Sequence, residues 1–497
     1  MSSLSLFKPI VELPPKVLLW VSGPVLTGLF LYMLLKGYGT VLTALLPLAL
    51  LGCLLVYNRV AAMLATIAYL FLVGDLRRIR DLAFPHPSLD PLLLVGPAIA
   101  VILALPVIIK AKSQDPLSKA MLFLTLVMTA EIFNPSQGGL GVGVGGAFFY
   151  LVPVFWFWIG REYGTTAVLE AFLYRVILPL AIAAALMGLY QNFIGFLPYQ
   201  QLWIDANINT FVILRMGNGS RSFGFSVAPS EYASLVQIGA IGVVAAYMAG
   251  RKAWILALPI LIAALILASG RSVIVKMVFA LAFTWVARNR KDFGAMAIIR
   301  LIVIMMVGLI AVSVIASRFA GGAQGYGPQS ATSAAIAHEA GGLANPFDKK
   351  KSTVGLHSQY VLGGFLEGFK YPFGHGLGST TAATGKLGTS KVMFTEIDLS
   401  DLFIALGLPG GILYLYCVFQ ALRSALLFVR GAPKVISLPT LAILGGGIGI
   451  WLVTSQYSTS AMYLFMIGCL THSESGAVKV KQRIAAPTVE PLSRAVA

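Results

Sequence analysis

Charged residues are scarce in this chain. They make up 11% of its 497 residues, whereas about a quarter of the residues of a soluble globular domain are charged. Hydrophobic residues reach 58%, and the mean hydropathy is +0.85. This composition excludes a soluble domain and indicates a polytopic membrane protein.

Cysteine and the common catalytic motifs are also scarce. The three cysteines, Cys53, Cys417 and Cys469, lie in apolar runs without metal-ligand spacing, so we expect them to be small core residues. The sequence contains no Walker loop, no His-Glu-x-x-His zinc motif and no Gly-x-Ser-x-Gly elbow. No metal or nucleotide site is therefore predicted from motifs.

Long apolar runs are instead abundant. A helix needs about 20 apolar residues to cross a bilayer. We therefore predict an all-α polytopic membrane protein with about 12–14 transmembrane helices and one large extracytoplasmic loop. The predicted spans are 17–35, 40–57, 60–74, 91–109, 118–133, 146–160, 167–195, 226–249, 254–269, 272–288, 296–316, 402–428, 436–454 and 459–471.

The longest interval between apolar runs covers residues 317–400. It contains three of the five histidines, many glycines and several aromatic residues, so we expect a folded and functional loop. The predicted parts are a transmembrane bundle at 1–316, this loop at 317–400, C-terminal transmembrane helices at 401–472 and a disordered cytoplasmic tail at 473–497.

The distribution of the 36 lysines and arginines predicts orientation. Cytoplasmic loops carry an excess of these residues, which assigns both termini, Arg251-Lys252 and the stretch 423–434 to the cytoplasm. The loops at 196–225 and 317–400 then lie on the opposite side. The segment Arg77-Arg78-Ile79-Arg80 also falls on that side in this count, so the orientation of residues 75–90 stays open. The net charge of +17 further suggests contact with anionic lipid.

Arg221, Arg271 and Arg318 stand at span ends on the side that should be poor in arginine. Each alone could extend its side chain to lipid headgroups. Together they form a candidate clamp for a lipid-linked diphosphate, because guanidinium groups match phosphate oxygens in geometry and charge.

Four short motifs follow one another along residues 220–415, with the long loop between them. They are Arg221-Ser222-Phe223-Gly224-Phe225 with Pro229, Ser269-Gly270-Arg271-Ser272, Pro372-Phe373-Gly374-His375-Gly376-Leu377-Gly378-Ser379, and Gly407-Leu408-Pro409-Gly410. Their order resembles that of the bacterial O-antigen ligase and polysaccharide polymerase family. The resemblance covers less than half of the chain.

The ligase branch of that family is associated with histidine, then Asn, Ser or Gln, nine residues, Gly, two residues, and Gly, Thr or Tyr. The chain offers two registers for this pattern. In the first, His357-Ser358 is followed by Gly368 and Tyr371. In the second, which has the family's context of a glycine loop before a span, Glu396-Ile397 is followed by Gly407 and Gly410. The carboxylate in place of histidine favours a polymerase.

The resemblance implies inverting glycosyl transfer outside the cytoplasm, from a glycan on undecaprenyl diphosphate, without a metal or a cofactor. Cations would hold the leaving diphosphate, and a base would accept the proton of the acceptor hydroxyl. The implied residues are Arg221, Arg271 and Arg318 for the diphosphate, Glu396, Asp398 or His357 for the base, and His375, Gly376 and Gly378 for a glycan loop. The alternatives are structural: first-turn helix acids for Glu396 and Asp398 and ordinary polar loop residues for the two histidines.

The favoured prediction is a polysaccharide polymerase in the bacterial inner membrane, with its active site on the periplasmic side. Its partners would be the lipid-linked oligosaccharide, membrane lipid, a glycan acceptor and a chain-length regulator protein, with no nucleic acid. The alternative is an O-antigen ligase that moves the glycan to a lipid A core or another acceptor. A glycolipid transporter or flippase is less favoured, because the apolar runs are mostly uncharged apart from Arg175 and Lys276 and no inverted repeat is visible.

Overall fold

The computed structural model consists almost entirely of helices. It describes Tyr32 and residues 38–84, 90–111, 115–207, 215–216, 219–268, 270–288, 294–320, 331–344, 354–388, 393–395 and 397–485. The first predicted span, 17–35, lies outside the described residues apart from Tyr32.

The described residues from 38 to 193 contain eight α-helices. They are α1 (Gly39–Tyr57), α2 (Arg59–Ala83), α3 (Leu92–Ile109), α4 (Pro116–Glu131), α5 (Leu140–Phe149), α6 (Leu151–Tyr163), α7 (Thr166–Ala171) and α8 (Leu178–Phe193). A π-helical turn, Phe172–Ile177, joins α7 to α8.

The short helix α9 (Pro198–Asn207) leads to the antiparallel pair β1 (Arg215–Met216) and β2 (Gly219–Ser220). The remaining helices are α10 (Pro229–Met248), α11 (Leu258–Leu267), α12 (Arg271–Ala287), α13 (Ala295–Ala320), α14 (Ala331–Ala344), α15 (Val354–Lys370), α16 (Ala382–Leu387), α17 (Asp398–Gly431), α18 (Lys434–Gly446) and α19 (Tyr457–Ala485). Helix α19 thus continues into the segment that we predicted to be disordered.

Eight helices among the described residues are long and apolar enough to cross a membrane. They are α1, α2, α3, α5 with α6, α7 with the π-turn and α8, α10, the Met296–Arg318 part of α13, and α17. Two shorter apolar helices, Lys252–Leu267 and Lys434–Gly446, accompany them. The all-helical class is confirmed, and the chain is a multi-pass membrane protein. The count of 12–14 spans stays a prediction.

Close helix contacts hold the bundle together, and glycine makes the closest of them. An ideal Cβ on Gly160 of α6 would lie 2.1 Å from the carbonyl oxygen of Phe465 in α19, and one on Gly468 would lie 2.1 Å from that of Phe157. Membrane helices pack through such small residues because lipid offers little hydrophobic driving force between them. The α6–α19 pair forms the centre of the apolar core around the buried Trp156.

Side-chain contacts between neighbouring helices distinguish the two ends of the bundle. At one end, Tyr174 donates to the carbonyl oxygen of Val435 at 2.6 Å, and Arg161 pairs with Asp115 at 2.9 Å. We call this the basic end, since it includes Arg251 and Lys252. The other end holds the chain reversals at 132–139, 221–228 and 447–456, and we call it the site end.

The arginines of the 75–90 segment lie at the site end. Arg78 donates to Asp75 at 2.9 Å and to the carbonyl oxygen of Ser226 at 2.9 Å. Asp90 pairs with both Arg77 and Arg80. The segment therefore lies beside the 221–228 reversal, and carboxylates pair with its cations. The side of the membrane on which it lies stays open.

Candidate functional site

Two of the three predicted arginines face one buried acid at the site end. Arg221 directly follows β2, and Arg271 is the first residue of α12. Both side chains are half-buried. Both act electrostatically on Glu339 of α14, whose side chain is only 3% exposed. The sequence separates these residues by up to 118 positions, and the fold brings their charges together.

A glycine sets the distance between Arg271 and α14. An ideal Cβ on Gly342 would lie 2.3 Å from the guanidinium carbon of Arg271, so the guanidinium group lies directly against the helix backbone. Gly342 is three residues after Glu339 and shares its helix face. Any larger residue at 342 would move the cation away from the carboxyl group.

The carboxyl group of Glu339 lacks hydrogen bonds among the described residues and has a raised pKa. Neither of its oxygen atoms has a hydrogen-bond partner among the residues that the structure describes. Burial raises the pKa of Glu339 to about 8, although Arg271 and Arg221 act in the opposite direction. A buried acid without hydrogen bonds favours its neutral form. Glu339 can therefore exchange a proton near neutral pH, as a general acid or base must.

The Arg221 motif is held by a network beneath it. The guanidinium group of Arg78 lies 3.7 Å from the ring centroid of Phe223 and 4.8 Å from that of Trp203. Such contacts between cations and aromatic faces are strongest when water is excluded. Asp75, the ionic partner of Arg78, also accepts a hydrogen bond from Tyr199 at 3.0 Å.

Gln191 of α8 completes this support. Its side-chain oxygen accepts the backbone N–H groups of Phe223 at 3.0 Å and of Gly224 at 2.9 Å. Gly224 has φ +54°, a conformation that favours glycine. The Arg221–Phe225 motif therefore has a structural reason: it forms a rigid turn with Arg221 at its start.

Arg318 does not join this cluster in the described structure. It lies in the last turn of α13 with an exposed side chain. No contact described for it links it to Arg221, Arg271 or Glu339. The predicted three-arginine clamp is thus represented by two arginines and an acid.

Of the predicted bases, Asp398 and His357 lie among the described residues, and no contact described for them links them to Glu339. Asp398 is 2% exposed, and one of its oxygen atoms accepts from Tyr414 at 2.6 Å and from the backbone of Trp451 at 2.9 Å. These bonds join the start of α17 to the 447–456 reversal, which is a structural role. His357 lies on α15, with its ring centroid 6.3 Å from that of Tyr360. Glu396 lies outside the described residues.

The predicted glycan loop forms a tight turn, which we call the glycine turn (Phe373–Gly378). Gly374 has φ +72° and contacts Gly407 of α17 so closely that an ideal Cβ on Gly407 would lie 2.5 Å from the Gly374 nitrogen. A Cβ on Gly376 would lie 2.8 Å from the Gln137 side chain, and one on Gly378 would lie 2.3 Å from the Val142 carbonyl oxygen. Packing therefore accounts for all three glycines.

His375 is the one residue of the glycine turn with a titratable side chain. Its Nε2 atom lies 3.1 Å from a carboxylate oxygen of Glu367, and its ring lies 4.3 Å from that of Tyr371. The pair belongs to α15 and the glycine turn, away from Glu339. Among the described residues, no group of histidine, cysteine and acidic side chains could hold a metal ion.

Sequence reasoning missed Glu339. It stands in an alanine-rich stretch of the 317–400 interval, without a neighbouring motif. The available signal was an acid followed after one residue by Gly341-Gly342, a small-residue pair that lets a helix approach another group closely. Comparison with protein-family models and with curated proteins finds no match for this chain.

Proposed function

We propose that the chain is a metal-independent membrane glycosyltransferase that polymerises lipid-linked repeat units at the periplasmic face of the bacterial inner membrane. The donor would be an oligosaccharide on undecaprenyl diphosphate. The observation that supports this proposal is the meeting of Arg221, Arg271 and Glu339 at one end of a multi-pass bundle. That arrangement joins cations for a diphosphate to an acid that can carry a proton.

The two arginines would stabilise the leaving group. Charge accumulates on the diphosphate as its bond to the anomeric carbon breaks, and fixed cations in a site of low dielectric constant lower the energy of that state. Arg271 is well suited because α14 and Gly342 restrict its guanidinium group. Preorganised cations avoid the reorganisation that water would need.

Glu339 would be the base, in place of Glu396, Asp398 or His357. The acceptor hydroxyl oxygen attacks the anomeric carbon from the face opposite the diphosphate, which inverts the configuration. The bond from that carbon to the diphosphate oxygen breaks, and the hydroxyl proton passes to a Glu339 oxygen. The proton then leaves to solvent. Glu339 fits this role because, among the described residues, no hydrogen bond occupies its oxygen atoms.

The proposal includes the topology of about 12–14 spans, cytoplasmic termini and one large extracytoplasmic loop. The eight long apolar helices and the two shorter ones support a high count. The glycan acceptor and a chain-length regulator protein would approach from the periplasm.

The test is incubation of the purified full-length protein with its lipid-linked repeat unit in a bilayer. A ladder of products that differ by one repeat supports a polymerase. A single transfer to a lipid A core or another acceptor supports a ligase with the same site. Translocation of the glycolipid without a new bond would contradict both.

Matched variants make this assay specific. Arg271→Ala and Glu339→Gln should abolish the ladder, whereas Arg430→Ala, at the basic end, should leave it intact. Arg318→Ala tests whether Arg318 belongs to the diphosphate site, as the predicted three-arginine clamp requires, or whether only Arg221 and Arg271 do. Loss of the ladder in Arg318→Ala, with Arg271→Ala active, would overturn the assignment of the site.

A further inference from the structure

Helix α15 and the glycine turn present an unusual surface for part of a loop in water. Between Tyr360 and Phe369, Glu367 is the single charged residue. Leu362, Leu366 and Phe369 are more than half exposed, and Phe373 is 82% exposed. The spacing of four and three residues places Leu362, Leu366 and Phe369 along one side of the helix, and Phe373 follows in the glycine turn.

Helix α15 is attached to α17 through two glycines on its other side. An ideal Cβ on Gly364 would lie 2.1 Å from the Ser400 hydroxyl oxygen, and one on Gly368 would lie 3.0 Å from the Phe403 ring. These glycines are four residues apart. Small residues at that spacing let helix backbones approach each other in membranes.

Helix α15 runs parallel to α17, so the glycine turn at its end lies further along α17. Gly364 meets Ser400, Gly368 meets Phe403, and Pro372 meets Gly407, so both helices run the same way. The turn therefore lies about 10 Å further along α17 than Ser400, at 1.5 Å per residue. Beyond this level, α17 exposes Ile412 and other apolar side chains, as a membrane span does.

The backbone of the turn is satisfied by protein groups. The N–H groups of five consecutive residues, 374–378, donate to the carbonyl oxygens of Tyr371, Ile404, Ala405 and Glu131 and to the side-chain oxygen of Gln137, at 2.8 to 3.2 Å. Asn134 donates to the carbonyl oxygens of Phe373 and Gly374. Irregular backbone is tolerated at membrane depth only when protein groups satisfy it in this way.

The two charged side chains of the segment each have a close neighbour. A Glu367 carboxylate oxygen lies 3.1 Å from Nε2 of His375, and the Lys370 ammonium group lies 5.0 Å from the centre of the Tyr371 ring. A lysine can bury its apolar stem and extend its ammonium group toward water. Neither charged side chain therefore lies on the apolar surface without a partner group nearby.

We propose that α15 and the glycine turn form a re-entrant membrane segment, and that acyl chains of the bilayer cover its outer face. The lipid contact continues the exposed apolar surface of α17. The predicted extracytoplasmic loop at 317–400 would then lie partly within the membrane. This inference is independent of the proposed glycosyl transfer and of Glu339.

Site-directed spin labelling in lipid bilayers tests the proposal. Single cysteines replace Leu366 and Phe369 in the full chain, in a background where Cys53, the exposed native cysteine, is alanine. Ile412→Cys serves as the lipid reference and Lys252→Cys as the aqueous reference. The measurement compares relaxation of each label by oxygen, which enters lipid, with relaxation by a water-soluble nickel chelate.

Labels at 366 and 369 should respond to oxygen more than to nickel, as at 412. A response that matches position 252 would overturn the proposal. Immobile labels that neither reagent reaches would also overturn it, in favour of contact with a second copy of the chain. Because both replaced side chains are exposed, unchanged elution and thermal stability confirm that each labelled variant is folded.

Discussion

At the residue scale, Glu339 combines two opposing influences. Burial favours its neutral form, while Arg221 and Arg271 favour the ionised form, and burial dominates. Its pKa of about 8 leaves both forms populated near neutral pH. A carboxyl group with that balance can accept a proton and release it again, which a solvent-exposed glutamate with its ordinary pKa of 4.5 does poorly.

Replacement of Glu339 by glutamine should reduce the rate of glycosyl transfer about 10²–10⁴-fold, the usual contribution of a general base. Glutamine retains the shape and removes proton acceptance. Glu162→Gln, an exposed position on α6, is the matched control and should retain activity. An active Glu339→Gln protein with normal product length would exclude Glu339 as the base.

The pH dependence has a definite sign. Since the ionised carboxylate is the base, the transfer rate should rise as pH increases through about 8. The folded pKa of about 8 lies above the unfolded value of 4.5, so the contribution of this group to stability is fully present below about pH 4.5 and is lost as pH rises to about 8. Rate–pH profiles of the native protein and Glu339→Gln provide the measurement. A rise that persists unchanged in the variant would assign the titration to another group.

Arg78 should be essential for stability. Its side chain is 2% exposed, and Arg78→Met would leave Asp75 as a buried charge without its cation, which costs about 3–5 kcal/mol. The exposed Arg59→Met on the same helix should have little effect. Thermal unfolding in detergent distinguishes them. The double variant Asp75→Asn/Arg78→Met should recover part of the loss; no recovery would show that the ion pair is not the cause.

At the element scale, the sequence predicted the helices well and their irregularities poorly. Apolar runs of membrane length determine α1, α3, α10 and α17 because lipid leaves the backbone few alternatives to a helix. The predicted span 402–428 begins four residues after the observed start of α17 at Asp398. Tyr414 and Trp451 bind the Asp398 carboxylate and hold this first turn of the helix. Contacts between distant segments cannot be read from local hydropathy.

Gly407 illustrates the limit. It has φ +68° inside α17. The glycine turn packs against Gly407, and this contact explains why a glycine stands there. Gly407→Ala would bring a Cβ within 2.0 Å of the Pro372 carbonyl oxygen and should cost about 2–4 kcal/mol through strain and overpacking.

Gly431→Ala, at the other end of α17, is the matched control, since no atom of the described residues lies within 4 Å of an ideal Cβ at that position. The comparison uses thermal unfolding of both purified variants. Equal stability of the two proteins would show that the turn is not held against Gly407.

At the scale of the whole molecule, contacts divide the helix ends into the basic end and the site end. Cysteines at Lys252 and at Phe133, which is 69% exposed, should therefore react with an impermeant thiol reagent from opposite sides of the membrane. Labelling in intact cells and in inverted vesicles, with Cys53 replaced, provides the measurement. Reaction of both from one side would contradict the arrangement of α4 and α10.

The assembled site was only partly predictable. Arg221 and Arg271 were identified because cations are unexpected at that end of a span. Glu339 was not, because its significance depends on burial and on α14 crossing Arg271. The family resemblance made Asp398 a candidate base, and its position before a span suggested a structural acid instead. Its hydrogen bonds to Tyr414 and Trp451 favour the structural alternative, and the base role stays a prediction.

The glycine turn imposes an order on biosynthesis. Its hydrogen-bond partners come from Glu131 and Gln137, made long before it, and from Ile404 and Ala405, made about thirty residues later. Until α17 has been synthesised, the amides of His375 and Gly376 lack their acceptors. In the proposed re-entrant location, each unsatisfied amide would cost several kcal/mol. A nascent chain that stops before Ile404 would thus carry a defect that membrane quality-control proteases could recognise.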